Sequence, residues 1–302
     1  MNHGASFSPI VLFAFNRPDL FEQTLKSLSE CDGASETEAF VFVDGPRHSD
    51  DRVGVLNCEA LAMEYVSCFK RLTVEVQSRN YGLASSLRTG ITKVFERSQS
   101  LIVVEDDLVV SKDFLRFMNL QLNYYQDEKR VGSVSGFGIK LASKDNSPFN
   151  YFHTRPCSWG WGTWVDRWNR AIWEVDGDCL KPGKGWVGKF NAGGQDLTRM
   201  LNNQLKGSIN SWAILWAYTH FRNNWLASYP KQTFVMNNGF GEASTHCKGP
   251  NPFPSEWVDG SILNDLRLED DIEVNPKIVS QVNYYHSNLY KAWLKLSSFW
   301  RT

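Results

Sequence analysis

A chain of 302 residues, 42% hydrophobic and 22% charged, carries enough apolar material for one large folded unit or two smaller ones, which excludes a disordered protein. A net charge of −1 without any basic run excludes wrapping of nucleic acid, because phosphate backbones are held by clustered Lys and Arg. The six cysteines, at positions 31, 58, 68, 157, 179 and 247, have no CxxC spacing and the six histidines no HExxH pattern, so neither a zinc site nor a disulfide framework is indicated, and reduced cytosolic thiols are the simpler reading.

The apolar run PIVLFAF (9–15) is too short for a membrane span and lacks a basic leader, so it predicts a strand and a cytoplasmic protein. A helix follows from Pro18, with Phe21, Leu25 and Leu28 forming one apolar stripe. AFVFVD (39–44) predicts a second strand, DRVGVLNCEALAMEYVSCF (51–69) a helix, and RLTVEVQ (71–77) a third strand. LASSLRTGITKVFER (83–97) predicts a third helix and SLIVVED (100–106) a fourth strand. This β-α-β-α-β-α-β order implies an α/β fold, Rossmann-like, with a mostly parallel sheet flanked by helices. Each strand ends in polar residues: Asn16 and Arg17, Asp44, Arg79 and Asn80, then Glu105, Asp106 and Asp107. Open sheets of this class bind ligands along that edge.

The chain changes character near residue 145, since all twelve tryptophans lie at or beyond Trp159. Residues 1–145 are therefore expected to serve one role and 146–302 another. KPGKGWVGKFNAGGQ (181–195) is rich enough in Gly and Lys for a mobile lid. The end, YYHSNLYKAWLKLSSFWRT (284–302), carries Lys291, Lys295 and Arg301 and no acid; such a segment either packs on the body or lies on the inner face of a membrane.

The acidic triplet asks for an explanation. On an extended strand Glu105 and Asp107 project to one side, and Ser111 with Asp113 supplies the start of the next helix, so capping does not need the triplet. Like charges gathered at a strand end call for a cation, and hard oxygen ligands suit Mg2+ or Mn2+ holding a phosphate.

At these residues the chain resembles the GT-A nucleotide-sugar glycosyltransferases, family 2-like and N-acetylglucosaminyltransferase-like, in which an acidic DxD triplet, also found as EDD, holds a divalent ion on the donor diphosphate. VLFAFNRPDLFEQTLKSL, VFVDGP and RNYGLASSLRTGI match other pieces of the donor half in order, over roughly the first half of the chain. SWGWGTWVDRW and NNGFGEASTH are similar to the WGWATW and NxGFGxxxTH motifs of a bacterial branch.

The resemblance implies that Phe15, Asn16 and Arg17 border the nucleotide and that Asp44 contacts uracil or ribose, unless Asp44 serves only the turn before Gly45-Pro46. It places Asn80, Gly82 and Arg88 at the donor loop, Glu105 and Asp106 beside the donor, and Asp107 on the metal, with His246 as a further metal ligand. Trp159, Trp161 and Trp212 would stack on acceptor sugars, or else simply fill the core. The reaction implied is inverting transfer from a UDP-sugar to a glycan or lipid-linked saccharide hydroxyl, with one carboxylate as base.

The base is where the chain departs from its relatives. The expected DSWAxxW reads INSWAILW here, with Asn210 at the acidic position, which leaves Asp196 and Asp166 as candidates; Asp196 also suits the cap of the helix LTRMLNNQL. Two other functions stay open. A catalytically weak or inactive carbohydrate-binding homologue fits Asn210, and a sugar nucleotidyltransferase shares the fold but would need a Gly-rich phosphate loop that AFNRPD lacks.

Overall fold

A computed structural model describes residues 7–142, 148–175, 185–240, 251–258, 266–287, 289–290 and 292–294. The first half follows the predicted order: β1 (Ile10–Ala14), α1 (Pro18–Ser29), β2 (Glu38–Val43), α2 (Asp51–Glu64), β3 (Arg71–Val76), α3 (Leu83–Phe95) and β4 (Ser100–Glu105). Pro18 stands in the first turn of α1, where its missing N–H costs nothing, and Phe21, Leu25 and Leu28 face inward. All five residues of β1 are buried, as a central strand covered on both faces requires.

The chain continues through β5 (Leu108–Val110), α4 (Phe114–Tyr124), β6 (Val131–Ser135), β7 (Asn150–His153), β8 (Trp161–Trp164) and the single turn α5 (Val165–Trp168). It then forms α6 (Trp186–Asn191), α7 (Leu197–Leu205), α8 (Trp212–Asn223), β9 (Leu226–Pro230), β10 (Val235–Asn237) and α9 (Pro276–His286).

Eight strands make one sheet in the order β3-β2-β1-β4-β8-β6-β9-β7, and β5 pairs with β10 in a separate antiparallel ribbon. Six strands of the large sheet run one way; β8 and β7 run against them. The architecture is thus mixed α/β with a mostly parallel sheet flanked by helices, and the sheet draws strands from both sides of residue 145. β1 to β4 all end at one edge, the carboxyl edge. Because β8 is antiparallel to β4, with Ser100 opposite Trp164 and Val103 opposite Trp161, the chain after Trp164 emerges at the far edge.

Three local expectations are corrected. Ser111 does not cap α4: the helix begins at Phe114, Asp113 holds the cap position without a side-chain cap bond, and the buried Ser111 hydroxyl has no hydrogen-bond partner among the described residues. Much of the expected lid is structured, since Trp186–Asn191 is helical and Phe190 is buried; residues 181–184 lie outside the described residues. The tryptophans are chiefly core. Trp161, Trp168, Trp212, Trp216 and Trp225 form a buried cluster on one face of the sheet, with Trp161 stacked on Trp212 at 5.4 Å and 20°.

This packing includes two buried histidines held neutral. His220 on α8 meets the Ser133 hydroxyl at 3.2 Å, and burial pulls its pKa down to about 3; His153 accepts from the Arg155 N–H, and burial followed by the Arg155 charge pulls it to about 4. Unfolded imidazoles protonate near pH 6.5, so below that pH unfolding takes up protons that the native state refuses. Native stability from these groups is complete above pH 6.5 and falls as pH drops toward 4. Denaturant titrations over that range should show the loss, and His220→Asn should flatten it; identical slopes in variant and parent would remove His220 as the cause.

Candidate active site at the carboxyl edge

The edge is organised by two buried carboxylates. At the end of β2, Asp44 is buried and accepts from three backbone N–H groups, those of Gly45 (3.0 Å), Tyr81 (2.9 Å) and Gly82 (2.9 Å). It thereby ties the loop after β3 to the end of β2. Asn80 adds a bond from its amide to the Gly45 carbonyl at 2.9 Å. Gly82 begins α3 with φ of 77°, a left-handed conformation that side chains resist, which explains glycine here. Asp44 is therefore first the anchor of this loop.

Between β1 and α2 a second carboxylate does similar work. Asp51 is buried, accepts from the Asn16 amide at 2.5 Å, and pairs with Arg47 at 3.1 Å; the Arg47 bond, above all, draws its pKa down to about 2. Arg47 also lies over the Phe15 ring at 4.7 Å. Neither Asp51 nor Arg47 stood out in the sequence. Their signal was the polar run PRHSDD directly after a strand, which reads equally as an ordinary loop. Tyr81 was also missed: it is exposed, with Arg79 over its ring at 5.0 Å.

The acidic triplet does not stay extended. β4 stops at Glu105, and Asp106 and Asp107 occupy a turn before β5, so strand alternation does not decide where they point. Asp106 is the buried member. Arg17 grips it through Nε (3.3 Å to Oδ2) and Nη2 (to Oδ1), and the same Nη2 lies 3.1 Å from Asp107 Oδ2. A cation that the triplet needs is thus supplied by the protein. Glu105 keeps its proton more readily, its pKa pushed up to about 8 by burial and then by the charges of Asp107 and Asp106.

Asp107 also meets the second half of the chain. The β5–β10 ribbon places Leu108 opposite Asn237, and the Asn238 N–H donates to the Asp107 carbonyl at 2.8 Å. A Cβ on Gly239 would sit 2.2 Å from Asp107 Oδ2. EDD and the NNG of NNGFG, 130 residues apart, are therefore packed together, and a side chain at 239 would displace the Asp107 carboxylate. His246 lies outside the described residues.

Does this arrangement suit a divalent ion? Among the described residues no three His, Cys, Asp or Glu side chains converge on one point. Asp106 is occupied by Arg17, whereas Asp107, less buried, meets Arg17 through Oδ2 and packs against Gly239. One carboxylate with substrate phosphates and water is an ordinary set for Mg2+, so the residues fit an ion brought in with a diphosphate rather than a preformed protein cage.

The remaining candidates separate. Asp166 is corrected: it follows Trp164, which lies opposite Ser100, and so stands at the far edge, exposed and paired with Lys129 (2.9 Å) and Arg167 (2.8 Å). Trp161 is corrected too, because it is fully buried and offers no face to a sugar. Trp212 is nearly buried and lines a cavity of about 80 Å³ with Arg155, Ser158, Met200 and Ala213, while Trp159 packs edge-on against Phe137, Phe240 and Phe253. Arg88 lies over Trp173 at 5.2 Å.

Asp196 does hold the cap position of α7, yet its side chain makes no cap bond there; buried, it pairs with Arg155 at 2.7 Å. Asn210 is exposed just before α8, whose true cap is Ser211, accepting from Ile214. α8 leads back to the start of β9, with His220 against Ser133 at the far edge and Trp212 against Trp161 near the carboxyl edge, so Asn210 is on the side of Asp107.

No protein-family model matches the sequence, and no curated protein matches it. Among solved structures, the crystal structure of S. aureus TarS superposes with a TM-score of 0.44 at 12% identity, over 76% of this chain and 36% of that one. A structure of S. aureus TarS 1-349 gives 0.42 and 12%, over 76% and 60%. This chain spans less than two thirds of either. Likeness at that level says nothing about chemistry.

Removing Arg17 leaves Asp106 buried and unpaired. Arg17→Ala should destabilise the protein by about 3 kcal/mol, the lower end for breaking a buried pair, and Arg17→Ala with Asp106→Asn should recover most of the loss. Chemical denaturation of the three proteins measures this; a double variant as weak as the single one would mean that Arg17 acts through packing alone.

Proposed function

We propose that this protein is a GT-A glycosyltransferase that moves a sugar from a nucleoside diphosphate, with UDP-sugars the first donors to test, to a hydroxyl of a glycan or lipid-linked saccharide. The observation that carries the reading is the meeting of Asp107 with Gly239 at the carboxyl edge, beside Arg17 and the loop pinned by Asp44. Open α/β sheets bind nucleotides there, and a guanidinium beside a carboxylate with spare lone pairs suits a diphosphate entering with its metal. A divalent ion, Mn2+ or Mg2+, bound through Asp107 would stabilise the charge growing on the departing diphosphate.

The chain's own residues define the rest. Asn16, Asn80 and Tyr81 line the nucleotide side, Tyr81 offering an exposed ring to a base. The acceptor enters from the α8 side, past Trp212 and Asn210. Proton removal is the weak step: an amide cannot take a proton as a carboxylate does, Asp196 is engaged by Arg155, and Asp166 is at the wrong edge. Those same observations favour a second reading, a carbohydrate-binding homologue that turns over slowly or not at all.

Calorimetry with UDP tests the donor site: affinity should respond to Mn2+ in the parent and cease to respond in Asp107→Asn, and an unchanged metal response in that variant refutes the assignment. For the base, nucleotide diphosphate release from a panel of nucleotide sugars should rise by roughly a hundredfold in Asn210→Asp if position 210 faces the acceptor hydroxyl, the scale of one general base. No release by either protein favours the binding homologue.

A further inference from the structure

The described residues expose large apolar side chains on α2, at Val53, Leu56 and Met63, and again at and after the end of α9. Leu289 is 84% exposed, Trp293 58% and Tyr284 56%. The body does not lack room to bury them by accident of looseness: α9 is docked, with Val282 buried, the Asn283 amide donating to the Ala192 carbonyl at 2.8 Å, and Gln281 accepting from the Ala142 N–H at 2.8 Å. From the last turn of α9 onward three rings form a ladder: Tyr284 tilts against Tyr290 at 5.1 Å and 52°, and Tyr290 stacks on Trp293 at 5.9 Å and 27°. Leu289 and Trp293 are four apart in the sequence, and each lies in a short helical stretch of the described residues.

Charge completes the pattern. Residues 274–302 contain Lys277, Lys291, Lys295 and Arg301 and not one Asp or Glu, in a chain whose net charge is −1. Exposed Leu, Trp and Tyr interleaved with cations and free of acids are what an interfacial segment needs: the rings and Leu enter the headgroup boundary, and the cations meet anionic headgroups. The charge is too sparse for a polyanion such as RNA, which is held by closely spaced cations.

We propose that the 284–295 segment is a peripheral membrane anchor that docks the protein on an anionic lipid surface. This does not rest on the glycosyltransferase reading, although a lipid-linked acceptor would lie in the same plane.

The test is sedimentation of the full chain with vesicles of phosphatidylcholine alone or mixed with phosphatidylglycerol, and quenching of tryptophan fluorescence by brominated lipid in the same vesicles. Binding should require phosphatidylglycerol and weaken with salt. Lys291→Gln with Lys295→Gln should weaken it by roughly 25-fold, at about fivefold per charge lost. Leu289→Ser with Trp293→Ser should abolish it with the melting temperature unchanged, since both side chains are already exposed; Leu289→Asp alone is the check if that pair misfolds. The proposal fails if anionic vesicles pull down no more protein than neutral ones, if binding survives the Leu289 and Trp293 changes, or if light scattering shows a dimer that those changes dissociate, which would make the patch a contact between copies.

Discussion

Arg17 and the two aspartates it holds are the contact on which the carboxyl edge depends. Three carboxylates at the mouth of a buried sheet repel one another across a poorly solvated space, and two that share a cation do not. The cation comes from the neighbouring strand. β1 and β4 run parallel, with Phe13 opposite Glu105, so the chain leaving β1 passes the acidic turn and delivers Arg17 to it. Asp107, sharing Arg17 with Asp106, is left as the member able to take a further ligand.

Around that contact the two halves of the chain contribute differently. The first half builds a firm rim, because Asp44 and Asp51 use their oxygens on backbone N–H groups, an amide and Arg47, fixing three loops at once. From the second half come the β5–β10 ribbon, which closes Gly239 onto Asp107, and a tryptophan core that sets the direction of α8. Trp161 is fully buried and acts only through packing: stacked on Trp212, which lines the small cavity beside Arg155, it sets where α8 and Asn210 emerge. No helix of the described residues is long and apolar enough to cross a membrane.

The sequence by itself determined the alternation of strands and helices through β4, because apolar runs of period two and amphipathic stripes such as Phe21, Leu25 and Leu28 are local properties of the chain. It also determined that polar residues would collect at one edge, since every parallel strand must end there. Pairings across distance were decided only by the tertiary structure. Nothing near Asp106 says that Arg17, 89 residues away, will neutralise it, or that Gly239 will lie against Asp107. Likewise Asp166 looked like a candidate base until the antiparallel register of β8 carried it to the opposite edge, and Trp161 looked like a sugar platform until packing closed over it. A residue's type and spacing fix what chemistry it can do; strand direction and close packing fix which groups it can reach, and those arise from contacts that no local stretch of sequence contains.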